Sequence, residues 1–297
     1  MKALFRFLMT AALALGSAAI AAPSVTTFKT PDAGTDALLM ATIARDAKAF
    51  VPLFGADTPK IITAKDQETL NLGVDAFLRA WGRGNKIVKE GDNRAVIELG
   101  REGFQFPVPL VRRGADWVFD TRAGIQEMAA RRIGRNELTT IDTLRAVVDA
   151  QQEYAVANRG PGTVYEFSRR FASTPGKRDG LYWPAKSGEL PSPAGELAER
   201  FQASGAKKGE GWHGYHYRIL TRQGASAPGG ARNYDVKGRL SDFAVLAWPV
   251  KYGETGVKTF VANSRGEVYS IDLGRDTEAQ ARMIDSYDPG TAWTREP

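Results

Sequence analysis

A chain of 297 residues, 43% of them hydrophobic, is long enough for a substantial core and, at roughly 150 residues per domain, is sized for two domains. Its formal charge of +6 is spread in mixed-sign clusters such as Arg131-Arg132 beside Glu127 and Glu137, without the aromatic-interleaved basic run of a nucleic-acid surface. Cysteine is absent, which excludes a disulfide framework, thiol catalysis and thiolate metal sites.

Lys2 and Arg6 precede the apolar run Phe7 to Leu15, and small residues then lead to Ala19-Ile20-Ala21. This is the pattern of a secretory signal peptide over residues 1–21, cut before Ala22, and it implies export to the periplasm. The apolar run is well short of the roughly 20 residues that span a bilayer. Phe243 to Val250, the longest apolar run after it, is shorter still, so no transmembrane segment is expected in the mature chain.

Thr30-Pro31-Asp32 predicts a helix start, with Thr30 as cap, Pro31 at the first helical position and Asp32 on the positive helix end. Leu39, Ile43, Ala47, Phe50, Val51 and Phe54 continue it at helical spacing to Gly55. A second helix is marked by Leu70, Val74, Phe77, Leu78 and Trp81. From Lys86 the period changes to two, and Ala95 to Leu99, Phe104 to Arg112 and Asp116 to Asp120 alternate between turn-like stretches. Pro107 and Pro109 cannot donate to a ladder, which puts their strand at an edge or turns its unpaired side outward. The result is an α+β domain over residues 22–124 with a curved antiparallel sheet. Phe77, Trp81, Phe104, Phe106, Trp117 and Phe119 are its core or pocket aromatics, core being the commoner fate of such rings.

The second domain, 125–297, opens on Arg131 to Ala157. There Ile141, Leu144, Val147, Val148, Gln151 and Tyr154 recur at helical spacing, and the pairs Glu127/Arg131 and Arg145/Asp149 stand four apart. Gly134 is a candidate break, with Asn136 as a cap beyond it. The arginine-rich beginning of this stretch is left free for a partner. Asn158 to Gly211 is punctuated by Gly, Pro and Ser around a short helix, Ala194 to Ala203. A loop of that length in a compact domain is commonly functional. Strands follow at Tyr215 to Thr221, Phe243 to Trp248, Val257 to Ala262 and Glu267 to Leu273, and Thr277 to Ile284 makes a last helix.

No string in the chain carries recognisable chemistry. His213 and His216 are the two histidines, and in an alternating stretch their spacing sends the rings to opposite faces, too few and too far apart for a zinc site. No G-x-S-x-G string is present, and Gly224, Gly229 and Gly230 lack a following G-K-[ST], so neither a nucleophile elbow nor a phosphate loop is indicated. No metal or other cofactor is expected. The most unusual segment is Asp179-Gly180-Leu181-Tyr182-Trp183-Pro184, with Trp212, His213 and Tyr215 further on. Asp179, Tyr182, Trp183, Trp212, His213 and Tyr215 are the candidate ligand-binding residues: exposed rings beside a carboxylate and Arg178 would stack on a sugar or grip a peptide. The bland alternative is that Tyr182 and Trp183 pin the loop to the sheet.

Two functions follow. The first is a non-enzymatic envelope protein that binds or assembles with envelope proteins or cell-wall glycan. The second is a periplasmic hydrolase in which Asp179, or Glu189 or Asp242, acts with His213 or His216 as acid/base pair.

The order of elements in the first domain resembles the cone-shaped nuclear-transport-factor-like domains. RNELTTIDTLRAVVDAQQEYA, HGYHYRIL and FAVLAWPVKYGETGVKTFVANSRGEVYSIDLG resemble the globular domain of type IV pilins and pseudopilins, which implies a helix packed on an antiparallel sheet. Here a signal peptide and a whole domain precede the long helix, a departure from the pilin pattern. Over nearly the whole mature chain, FPVPLVRRGADWVFDTRAG, RRIGRNEL, PGKRDGLYWP, GYHYRIL and QGASAPGGARNY resemble a bacterial exported family known as a domain of unknown function, number twenty-nine fifty in that series. That resemblance implies no activity, cofactor or catalytic residue.

Overall fold

The computed structural model describes residues 25–157, 166–185, 188–189, 191–203 and 211–297. The expected signal peptide, residues 1–21, and part of the stretch from Asn158 to Gly211 lie outside them. The fold is α+β, and the chain divides into two compact units, Met1–Met128 and Ala129–Pro297.

In the first unit, helix α1 (Pro31–Ile43) begins where the sequence places it, with the Thr30 hydroxyl accepting from the Ala33 N–H at 3.2 Å. It does not continue to Phe54. Arg45 takes a φ of 52°, and Asp46 caps a separate turn, Ala47–Phe50, by accepting from the Lys48 N–H. Pro52 then has no N–H to bond back to an earlier carbonyl, so one unbroken helix would fail there in any case. The chain forms a short helix at Val51–Phe54 instead. Helix α2 (Gln67–Arg83) is capped by Asp66, whose carboxylate accepts from the Thr69 N–H at 2.7 Å, and it buries Leu70 and Val74.

The sheet of this unit comprises β1 (Asn85–Lys89), β2 (Arg94–Leu99), β3 (Phe104–Gln105), β4 (Leu110–Arg113) and β5 (Asp116–Phe119), in the order β1-β2-β4-β5 with β3 also on β2. The strand expected from Phe104 to Arg112 is therefore two. β3 pairs with Glu98 and Leu99 and β4 with Arg94 and Ala95, while Pro107 and Pro109, which have no N–H to offer the ladder, lie between them. Trp117 and Phe119 are core, Phe77, Trp81 and Phe106 are half-buried, and Phe104 is 55% exposed.

Helix α3 (Thr121–Ala157) runs unbroken through Gly134, so the expected break is absent. One glycine in a helix costs only about 1 kcal/mol relative to alanine, less than the burial of Ile141, Leu144, Val147 and Val148 that follows it contributes. Asn136, expected as a cap, instead donates from Nδ2 to the Thr255 carbonyl at 2.8 Å. Arg132 donates to the Glu254 carbonyl, and Glu137 Oε1 accepts from the Val257 and Lys258 N–H groups at 2.9 and 3.0 Å. Of the arginines at this end, Arg132 is thus engaged, with Asn136 and Glu137, in clasping the 254–258 turn.

Helix α4 (Gly195–Ala203) precedes the second sheet, which comprises β6 (Tyr215–Leu220), β7 (Ala244–Pro249), β8 (Lys258–Asn263), β9 (Val268–Asp272) and β10 (Thr294–Arg295) in the order β10-β9-β8-β7-β6. All six residues of β7 are buried, as its unbroken apolar run requires, because the sheet is covered on both faces. Tyr215, Tyr217, Ile219, Val245 and Ala247 join the buried stripe of α3. Leu220, Ala244, Leu246 and Trp248 point the other way, toward helix α5 (Thr277–Met283) and Tyr287.

Candidate functional site

The second unit holds an apolar cavity of about 470 Å³ between α3, the loop before α4, α4 itself and the start of β6. Thr143 and Val147 come from α3, one turn apart on the face that carries its core stripe. Leu197 and Ala198 come from α4, and Trp212, Tyr215 and Tyr217 from the turn into β6 and from β6. Tyr215 and Tyr217 share a face because they are two residues apart on a strand.

The loop contributes Phe171, Leu181 and Tyr182, and its shape follows from a dense set of local hydrogen bonds. Gln151 of α3 anchors its start by a reciprocal amide pair, donating to the Ser168 carbonyl and accepting from the Ser168 N–H, both at 2.8 Å. Tyr182 N–H donates to the Phe171 carbonyl and Ser173 N–H to the Tyr182 carbonyl, so the two arms of the loop lie side by side. Leu181 is fully buried and is the residue that seats the loop, with Tyr182 and Trp183 only half-buried.

Tyr182, Trp212, Tyr215 and His216 among the residues singled out from the sequence line this cavity; Asp179, Trp183 and His213 do not. Asp179 closes the loop by accepting from the Thr174 N–H at 2.7 Å and the Thr174 hydroxyl at 2.8 Å. Those hydrogen bonds hold its carboxyl below the usual carboxylate range. Trp183 lies under the Arg178 guanidinium, 5.5 Å from its ring centroid, and its indole N–H is buried with no hydrogen-bond partner among the described residues. Glu189 is 3.5 Å from Arg178, and Asp242 binds Arg232 at 2.7 Å while accepting from the Phe243 N–H.

His213 is not on a strand. Trp212 N–H donates to the Tyr215 carbonyl and Tyr215 N–H to the Trp212 carbonyl, while His213 and Gly214 have φ of 48° and 78°. Positive φ at both central residues makes this a type I′ turn, for which Asn-Gly is the favoured pair. His216 lies on β6 with its ring 5.4 Å from Trp248, on the face opposite Tyr215 and Tyr217. No three His, Asp or Glu side chains among the described residues are placed to hold a metal ion.

The turn supplies a direct test of the role of His213. His213 is exposed, yet partial desolvation by its neighbours holds its imidazole below the ordinary value of 6.5. Below pH 6.5 the unfolded chain therefore takes up the proton first, and stability falls on acidification until the folded imidazole also titrates. His213→Asn creates the favoured Asn-Gly pair and is expected to raise stability by a few tenths of a kcal/mol at pH 8. The gain should grow between pH 6.5 and 5 in urea unfolding. A loss of stability at pH 8 would refute the turn assignment.

Electrostatically the cavity is nearly featureless. Among the described residues that line it, none is Asp, Glu, Lys or Arg. Its polar side chains include Thr143, Tyr182, Trp212, His216 and Tyr217; the Tyr217 hydroxyl is 3.4 Å from the Thr140 hydroxyl, and burial pushes its pKa up to about 12, so it remains a neutral donor. The sequence reading did not include Phe171, Leu197, Thr143 or Tyr217. For Tyr217 a signal existed, since it is two residues beyond Tyr215 in the same alternating run. Phe171 and Leu197 sit in unpatterned or short segments, where nothing marks a residue as facing a cavity.

A family model described as "Protein of unknown function (DUF2950)" matches residues 25–295. No curated protein matches the chain, and no solved structure does.

Proposed function

We propose that this chain, which belongs to the DUF2950 family, is a non-enzymatic protein of the bacterial cell envelope whose second unit binds an apolar segment of another envelope protein. The observation that carries this reading is the cavity beside Trp212 and Tyr182. It falls within the size range of small-ligand pockets, roughly 300–1,000 Å³, and its wall is almost wholly apolar. A sugar brings a hydroxyl on nearly every carbon and needs matching polar groups, each costing roughly 1–3 kcal/mol if buried unpaired. A Leu, Met or Phe side chain needs none and gains about 1.5–3 kcal/mol from burial. Between the two partner classes considered from the sequence, protein is therefore favoured over glycan. The exported location rests on the leader at residues 1–21, and no described helix is long and apolar enough to cross a membrane.

Capture experiments with the mature chain in its own envelope extract test this. Ala198 lines the cavity from α4 and is half-buried, so Ala198→Trp fills the space from one wall. The expected outcome is a captured envelope protein that the wild-type chain retains and Ala198→Trp loses at least tenfold, with the urea midpoint unchanged. Equal retention by both would remove the cavity from the reading.

A further inference from the structure

The first unit contains its own cavity, of about 360 Å³, walled by Leu38, Phe50, Ile61, Val74, Phe77 and Phe106. Among the described residues no charged one lines it, and its polar side chains are three threonines. Thr42 spends its hydroxyl proton on the Leu38 carbonyl at 2.8 Å, and Thr69 is engaged by the Asp66 carboxylate. Little is left to hold water or a polar group inside. The space opens to solvent beside the exposed Thr63, Thr69 and Gly73; since an enclosed apolar cavity of about 150 Å³ takes up a benzene ring, a space somewhat more than twice as large has room for roughly a dozen carbons.

We infer that this cavity is a binding site for a single acyl chain of about that length, with the polar head left in water at the opening. The choice of an acyl chain rests on the envelope location proposed above, because apolar groups of this size in an envelope are chiefly the chains of fatty acids and lipids. The same chemistry could arrive as a free carboxylate or as the acyl arm of a lysophospholipid. Gly73 provides the handle for a test. It lines the cavity from α2, and a Cβ built on it meets nothing within 4 Å. Replacing a mid-helix glycine also favours the helix, so Gly73→Phe obstructs the cavity without threatening the fold.

The full mature chain is titrated by calorimetry with octanoate, dodecanoate and lauroyl-lysophosphatidylethanolamine, each below its micelle concentration. One equivalent of a twelve-carbon probe is expected to bind at least tenfold more tightly than octanoate. Gly73→Phe should weaken it at least tenfold with an equal or higher urea midpoint, and Ala198→Trp in the other cavity should leave it unchanged. Tighter binding of dodecanoate supports a free fatty acid, and tighter binding of the lysophospholipid a lipid source. Binding of neither probe, binding indifferent to Gly73→Phe, or loss with Ala198→Trp would each overturn the assignment. None of these readouts depends on where the chain resides or on any captured protein.

Discussion

Gly256→Ala is expected to lower the stability of the second unit by about 3 kcal/mol, at the upper end of what overpacking a core does. A methyl group built there would stand 2.0 Å from Tyr215 Oη and 2.4 Å from Cζ. Tyr215 has no room to withdraw. It is fully buried, its ring centroid is 5.9 Å from that of Phe260, and its hydroxyl donates to the Lys258 carbonyl at 3.0 Å. The adjoining backbone is equally restrained, because the Val257 and Lys258 N–H groups are held by Glu137. Tyr215→Phe alone should cost about 1 kcal/mol for the lost hydrogen bond. Removing Oη also removes the closest contact, so the double variant should lose less than the sum of the two singles, by about 1 kcal/mol or more. Urea unfolding of the four chains, followed by near-ultraviolet circular dichroism, gives the cycle directly. Strict additivity would mean that the two residues do not meet.

Arg218→Ala is expected to cost about 2–3 kcal/mol, from the loss of charge-assisted hydrogen bonds at a helix end. The guanidinium lies 5.5 Å from the Trp248 ring centroid and donates to the carbonyls of Ala281, Arg282 and Ile284, where α5 ends. A helix end leaves its last carbonyls short of intrahelical partners, although that of Ala281 also accepts from the Ile284 N–H at 3.3 Å. One planar group thus stacks on an aromatic ring and ties α5 to the sheet. Arg218→Lys should recover less than half of the loss, because an ammonium has neither the flat face nor the span to reach three carbonyls while lying over an indole. The same urea experiment reports both variants. Full recovery by lysine would show that charge alone suffices at this position.

The fold was legible wherever one strong local signal acted without a competitor. Thr30 and Pro31 fixed the start of α1, and the apolar run from Phe243 marked β7 as covered on both faces. Misreadings came where two signals collided. Apolar spacing carried the first helix past Pro52, although the missing N–H there outweighs one more apolar turn. Alternation from Trp212 to Tyr217 read as continuous strand, although His213-Gly214 was an unusual spelling of a type I′ turn. Gly134 looked like a break because propensity is local, whereas the packing that overrides it is not. The cavity of the second unit was legible in part. Tyr182, Trp212 and Tyr215 stood out as rings, but Thr143, Phe171 and Leu197 join them only through tertiary convergence from separate segments, which no periodicity encodes.

The continuity of α3 bears on how this gene can be divided. The boundary between the units falls after Met128, inside the helix, with no Pro- or Gly-rich linker to mark it. A chain stopped there keeps only Thr121–Met128 of the helix, well under the roughly 12–15 residues at which an isolated helix becomes even marginal in water. Ile125 and Met128, which pack against the core of the first unit, would then sit on a frayed end. The first unit's coding sequence therefore extends, in effect, into the second's. An excised fragment that respects the contact boundary would be shorter than the structure it is meant to contain.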